Sequence, residues 1–257
     1  KDAGDRSHVC KDRLWLGLTA GDPLTDSTRM QYRNTQASLS VLLTGGTGYI
    51  GSRWLANADP CVQSVVLLVR TPSAAASLPV PKWVAVEVRK NESHDTDLAD
   101  VLHHADVVVH LAGSTPASHP DSDLLYDTIN RKWTESLARA CLLGDIPILF
   151  ASTGNLYAGR GGRALAEDTA DINPEQHPYT KSKYAAEQVL RALGAQGLRF
   201  SILRFGSVFG MAPVLNPHVA LNAFVRRAVT ERHLEVWRTM AEQRRPYTAV
   251  LDCAEAV

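Results

Sequence analysis

One stretch constrains the fold of this chain more than any other: Ser40-Val-Leu-Leu-Thr-Gly-Gly-Thr-Gly-Tyr-Ile-Gly-Ser52. The apolar run Val41 to Leu43 reads as a buried strand, glycines stand at 45, 48 and 51, and Ile50, Trp54 and Leu55 begin a helical pattern. A strand that turns directly into a helix presents free amides at the helix N-terminus, which favour an anion. Glycine lets that backbone come close to a pyrophosphate. The stretch is therefore expected to be a dinucleotide-binding turn, or else a glycine-rich structural connection. Its Gly-x-x-Gly-x-x-Gly spacing is one residue longer in the first interval than the Gly-x-Gly-x-x-Gly fingerprint.

The chain downstream decides between them. Ser64 to Val69 is a continuous apolar, β-branched run, the mark of a parallel strand covered on both faces. Trp83 to Val88 alternates as a third strand, Leu98 to His104 forms a short helix, and Asp106 to Gly113 forms a fourth strand. A long helical pattern runs from Leu124 to Leu143, a fifth strand from Pro147 to Ser152, a helix from Tyr179 to Leu193 and a sixth strand from Phe200 to Phe205. Strands alternating with helices predict an α/β fold, a Rossmann-type doubly wound parallel sheet with right-handed crossovers. We expect a peripheral extension over 1–38, a dinucleotide-binding domain over 39–205, and a small, incomplete substrate lobe over 206–257.

Charge and cysteine content remove other classes. Lysine plus arginine (27) equals aspartate plus glutamate (27), so no global field recruits nucleic acid or an anionic membrane. Runs such as Val65 to Val69 are too short to span a bilayer. Cys10, Cys61, Cys141 and Cys253 lack metal-ligand spacing and a disulfide framework, so no metal, reduced thiols and a cytoplasmic setting are expected. At the tip of the second strand, Arg70 is either a partner for a ribose 2′-phosphate, tilting the choice to NADP, or a solvated strand-end residue.

Tyr179-Thr-Lys-Ser-Lys183 sets Tyr179 and Lys183 four residues apart, on one face of a helix. A free phenol titrates near ~10, and a neighbouring ammonium favours the phenolate, so a lowered Tyr179 pKa is expected. Such a phenol passes a proton to or from a substrate hydroxyl while a nicotinamide takes or gives the hydride. Thr153, at the carboxyl end of the fifth strand, supplies a hydroxyl for the reacting oxygen. Singly, each has a bland reading: an exposed helix pair, and a helix cap.

The order of glycine turn, strand-end hydroxyl and Tyr-x-x-x-Lys resembles the extended short-chain dehydrogenase/reductase family, in its nucleotide-sugar epimerase and dehydratase branch, from about Val41 to Val257. Thr44 to Gly51 looks like its cofactor turn, His110-Leu-Ala-Gly113 like its fourth-strand motif, and Asn130 like its helix asparagine. Phe150 to Tyr157 resembles the segment bearing the catalytic hydroxyl, which the spacing to Tyr157 assigns to Thr153 rather than Ser152. Glu167-Asp168, Pro174, Ser182-Lys183 and Glu187, and then Leu203 to Gly210, continue the likeness.

The resemblance implies Thr153, Tyr179 and Lys183 as catalytic residues. It implies cofactor contacts from Gly45, Thr47, Gly48, Tyr49, Ile50, Gly51, Arg70, Asn91, Leu111, Ala112, Gly113, Ser152, Tyr179, Lys183, Phe205 and Val208. Substrate contacts are implied for Thr115, Thr153, Asn155, Asn222 and Arg245, the last toward a sugar-donor diphosphate, although Arg244-Arg245 also reads as a solvated pair. Asn91 stands where the family usually has aspartate. Gly154 and Asn155 replace the acidic pair of dehydratases, which disfavours a 4,6-dehydratase. The implied activity is an NAD(P)-dependent 4-epimerase or 4-ketoreductase of a nucleotide-activated sugar, with NADP or NAD, in a homodimer paired through the two long helices. A non-catalytic NAD(P)-binding regulator or scaffold is the competing reading.

Overall fold

The computed structural model describes residues 38–91, 98–116, 118–119, 122–158, 166–169, 175–234, 236 and 245–257. All but the last residue of the expected extension over 1–38, together with Pro174 and Arg244, lies outside these residues.

Six strands form one parallel sheet: β1 Leu39–Thr44, β2 Val62–Val69, β3 Ala85–Lys90, β4 Val107–His110, β5 Ile148–Thr153 and β6 Phe200–Phe205. Their spatial order is β3-β2-β1-β4-β5-β6, so the order in which strands are added reverses between β1 and β4, where α/β sheets open a binding crevice. Both faces are covered. Along β1, Val41 and Leu43 point into the core beneath α1 (Tyr49–Ala56), which supplies Trp54 and Leu55. Leu42, between them, points into the opposite core with Leu137, Cys141, Ala186 and Leu190. Alternate residues of an extended chain face opposite sides, so a strand buried on both faces must be apolar throughout.

Leu98–Leu102 is α2, as expected in outline. The third strand begins two residues later than the alternation indicates, and Trp83 lies before it, 50% exposed. β3 pairs with β2 in the register Ser64 with Ala85 through Val69 with Lys90, and this pairing, not the hydrophobic pattern, sets its limits. The long helix α3 is also not regular: an α-helical start, Asp123–Leu125, passes through a π-helical stretch, Tyr126–Lys132, before regular helix resumes over Trp133–Leu143. Such a stretch holds more residues per turn and is frequent at functional sites. Helix α4 spans Pro178–Gly194.

Beyond the sheet, β7 (Ser207–Phe209) pairs in parallel with β8 (Tyr247–Ala249), with α5 (Ala220–Thr230) between them in sequence. The chain continues into α6, Val250–Ala256, whose buried Ala254 joins the core beneath α1. Among the described residues, no helix is long and apolar enough to cross a membrane.

A buried ion pair ties β6 to α4. Arg204 Nη2 donates to Glu187 Oε2 at 2.5 Å and Nε to Oε1 at 2.9 Å, with side chains 9% and 0% exposed. Ser152 Oγ donates to the same carboxylate at 2.5 Å, and Arg204 Nη1 reaches the Tyr157 hydroxyl and the Glu167 carbonyl. Removing one partner leaves the other charge buried without compensation. Glu187→Leu is therefore expected to cost about 3 kcal/mol or more in urea denaturation, and Glu187→Leu/Arg204→Met to recover most of that loss. A double variant no more stable than the single one would contradict this account.

Candidate active site

A cavity of about 750 Å³ opens over the carboxyl ends of the strands, on the β1–β4 crevice. Its floor is Thr44, Gly45, Thr47 and Gly48 of the glycine turn together with Leu111, Ala112 and Gly113 after β4. Gly45 has φ +75°, and a Cβ there would come 2.5 Å from the Ala112 amide nitrogen, so both backbone hand and close approach require glycine. A Cβ on Gly51 would lie 2.3 Å from the Gly45 carbonyl oxygen, so the helix can close on its own turn only without one. Gly48 caps α1 without a side-chain bond, and the first turn of α1 holds no acidic residue. The helix N-terminus thus faces the cavity without a competing anion, which suits a pyrophosphate.

At the β2 and β3 end of the cavity stand Arg70, Lys90 and Asn91, and on the α3 side Thr128, Ile129 and Trp133, with His119 above. Lys90, His119 and Trp133 were not singled out from the sequence. Ile129 and Trp133 are four apart, the spacing of one helix face, but core residues show the same spacing.

Beneath the floor runs a chain of buried hydrogen bonds. Thr134 Oγ1 donates its one proton to the Asn130 carbonyl at 2.7 Å. The 2.9 Å contact of Thr134 with His110 Nε2 must then be donated by the histidine. Burial and the nearby Lys183 ammonium push the His110 pKa down to about 3, so the ring is neutral and Nδ1 is bare. Nδ1 accepts from Thr44 Oγ1 at 2.6 Å, and Thr44 in turn accepts from the Ala112 amide at 3.3 Å. The relay runs in one direction from the cavity floor to the π-helical stretch. Asn130 completes it: its amide accepts from Ser114 N at 2.7 Å and donates to Ser114 O and Ser182 Oγ, both at 3.0 Å.

Lys183 lies behind the cavity floor, where a Cβ on Gly113 would come 3.4 Å from Nζ. Nζ donates to the Ala151 carbonyl at 2.6 Å and sits 4.3 Å over the Phe150 ring centre. Burial lowers its pKa to about 7, against the opposing pull of Glu187 one turn along α4. Thr153, the last residue of β5, shares a side-chain hydrogen bond with Tyr179. The Tyr179 ring packs edge-on to Tyr126 at 6.0 Å. The expectation of a lowered Tyr179 pKa is overturned: desolvation pushes it up to about 12, the Thr153 bond opposing and Tyr126 adding. The phenol therefore holds its proton at neutral pH, because its own burial disfavours the phenolate, while the Lys183 ammonium is bonded to Ala151.

The structure joins Thr153 to Tyr179 and sets Lys183 one turn from Tyr179 along α4; it lines the cavity with Gly45, Thr47, Gly48, Arg70, Asn91, Leu111, Ala112 and Gly113, but with none of those three. Other expected contacts are placed off that lining. Ser152 is bonded to Glu187, Tyr49 and Ile50 belong to the first turn of α1, and the backbone of Phe205 faces Gly154. Val208 pairs with Thr248 across the small sheet. Among substrate candidates, Thr115 is held by Ser118, Asn155 is exposed beside Thr153, and Arg245 is exposed just before β8. Asn222 directs its amide to Gly210, Asn216 and Tyr49. Among the described residues, no group of three or more His, Cys, Asp or Glu is placed to hold a metal ion.

Residues 41–257 match the model of the NAD dependent epimerase/dehydratase family. The chain belongs to that family. Among epimerase/dehydratase relatives, a UDP-glucose 4-epimerase of Azospirillum brasilense is 35% identical over 190 residues, 70% of this chain and 52% of that protein. The chain thus spans about half the length of that relative. A solved UDP-N-acetylglucosamine 4-epimerase from Methanobrevibacter ruminantium M1, in complex with UDP-N-acetylmuramic acid, superposes with a TM-score of 0.73 at 26% identity, covering 86% of this chain and 72% of that one. MoeE5 in complex with UDP-glucuronic acid and NAD gives 0.69 at 26% identity, covering 84% and 70%.

The buried relay yields a pH prediction. The unfolded His110 binds a proton below about pH 6.5 and the folded one only near 3, so its contribution is fully present above 6.5 and is lost as pH falls toward 3. The slope is about 1.4 kcal/mol per pH unit, or about 2 kcal/mol between pH 6.5 and 5. His110→Gln should flatten the stability-versus-pH curve by that amount in urea titrations. An unchanged slope would refute a neutral His110.

Proposed function

We propose that this chain moves a hydride at a secondary alcohol or ketone of a nucleotide-activated sugar, as a 4-epimerase or 4-ketoreductase using NADP or NAD. The observation that carries this reading is the Thr153–Tyr179 hydroxyl pair, with Tyr179 on the helix of Lys183, whose ammonium lies against Gly113 in the floor of a dinucleotide-sized cavity. A cavity of this volume lies within the roughly 300–1,000 Å³ range of cofactor and ligand sites. Similarity to UDP-sugar 4-epimerases supports the substrate class.

The residues that would hold the cofactor fit it chemically: the uncapped start of α1 for the pyrophosphate, Asn91 beside the adenosine, and Arg70 with Lys90 toward the ribose. A bound nicotinamide supplies the hydride acceptor or donor. The protein supplies the rest. Thr153 orients the reacting oxygen by a hydrogen bond, and Tyr179 holds at Oη the proton that this oxygen gains or loses. Lys183, buried and anchored on Ala151, sits against Gly113 of the cavity floor. Glu187 favours its charged form. The 39–205 and 206–257 segments are read as the cofactor and substrate sides. Leu124 and Leu143, 75% and 90% exposed on α3, support a homodimer paired through that helix and α4.

Tyr179→Phe removes one oxygen, and turnover of UDP-glucose is expected to fall by about 10²-fold or more, with NADH affinity unchanged. Retained turnover would end this assignment. Net consumption of NADPH marks a reductase, and an isomerised sugar without consumption marks an epimerase. Two cations at the β2 and β3 ends favour a 2′-phosphate, so Arg70→Gln should weaken NADPH binding by about tenfold, ~1.4 kcal/mol, while NADH is barely affected. Equal losses for both cofactors would point to NAD.

A further inference from the structure

Tyr49 is the first residue of α1 and follows the cavity-lining Gly48, yet its side chain leads away from the glycine turn toward the segment after β7. Its hydroxyl donates to the Gly210 carbonyl at 2.5 Å. The Gly210 amide donates to Asn222 Oδ1 at 3.0 Å, and Asn222 Nδ2 donates back to the Tyr49 hydroxyl at 3.0 Å. Three residues from three elements thus close a ring of hydrogen bonds, each proton with one assigned direction. The other Nδ2 hydrogen of Asn222 goes to the Asn216 carbonyl at 2.9 Å. One turn along α1, Ser52 Oγ accepts from the Val214 amide at 3.1 Å. Residues 210–222 are therefore fastened twice to the helix whose N-terminus faces the cavity.

Both backbone groups of Gly210 are consumed by the ring, one by Tyr49 and one by Asn222. Losing the phenol hydroxyl strands the Gly210 carbonyl and one Asn222 hydrogen together. Bonds that polarise one another in a closed ring act as a unit. A shift of α1 onto an anion is then felt at the start of α5, where Asn222 stands.

We propose that Tyr49 is a positioning residue that couples dinucleotide binding at the glycine turn to the order of the substrate-side segment 210–230. The coupling rests on reading the cavity as the dinucleotide site. It needs no contact between Tyr49 and either ligand, and it gives the aromatic residue of the turn a task separate from the glycines around it.

Hydrogen exchange on the full chain, followed by mass spectrometry with and without NADH, tests this. NADH should slow exchange across 210–230 in the native protein by about fivefold, the lower end of ordinary coupling between sites. In Tyr49→Phe that slowing should vanish, while β2 stays protected and NADH still slows exchange over 45–52. Asn222→Ala should behave alike, and the double variant no worse than either single one. A merely structural hydroxyl would raise exchange over 210–230 and leave the NADH-induced slowing in place, which would overturn the proposal, as would additive effects of the two substitutions. If NADH binds neither native nor variant protein, the dinucleotide reading itself fails. The ligand-free chains then judge the ring: exchange over 210–224 faster by about fivefold in Tyr49→Phe supports it, and unchanged exchange refutes it.

Discussion

The active centre depends on the way buried polar groups beneath the cavity floor satisfy one another. Thr44, His110, Thr134, Asn130, Ser114 and Ser182 lie almost without solvent exposure, and a buried donor or acceptor left unpaired would cost about 1–3 kcal/mol. They are paired in a fixed order, which makes the arrangement rigid as well as tolerable. Through this set the glycine turn, the loop after β4, the wide turn of α3 and the start of α4 are held to each other. Apolar packing closes the sheet against its helices. The polar set decides how those elements are aligned where chemistry is to happen.

The same burial shapes the titrating pair. Taking Lys183 out of water lowers its affinity for a proton, and taking Tyr179 out of water raises that of the phenol. The two shifts oppose the simple picture of a cation next to a phenolate. Glu187 restores part of the lysine's charge, and Arg204 and Ser152 share its carboxylate. The lysine's charge is thus set by a line of charges reaching from Arg204 on β6 through Glu187 to Lys183 on α4 rather than by two residues alone.

Much of this architecture was legible. Parallel strands covered on both faces must be apolar, so β1, β2, β4 and β5 announced themselves, the edge strand β6 showed as a shorter apolar run, and the spacing of Tyr179 and Lys183 forecast a shared helix face. Thr153 could be assigned because strand ends gather sites in α/β sheets. The limits of β3 could not be read, because its pairing with β2 and not its own pattern positions it. Nor could the Tyr179 shift be read, since desolvation depends on what surrounds a side chain in space. His110 and Glu187 read as ordinary motif members, and only three-dimensional contacts show that one is neutral and the other bridges to Arg204.

The π-helical stretch of α3 has one more implication. Within it the helix carries extra residues per turn, so the faces before and after it are offset by about the 100° that one residue subtends. Thr128 and Ile129 look into the cavity while Leu137, Ala138 and Cys141, further along the same helix, look into the core, and Trp133, just past the wide turn, meets both. A uniform helix would hold those two sets at a different angle to one another. Here the wide turn works as a phase shifter between ligand-facing and core-facing positions.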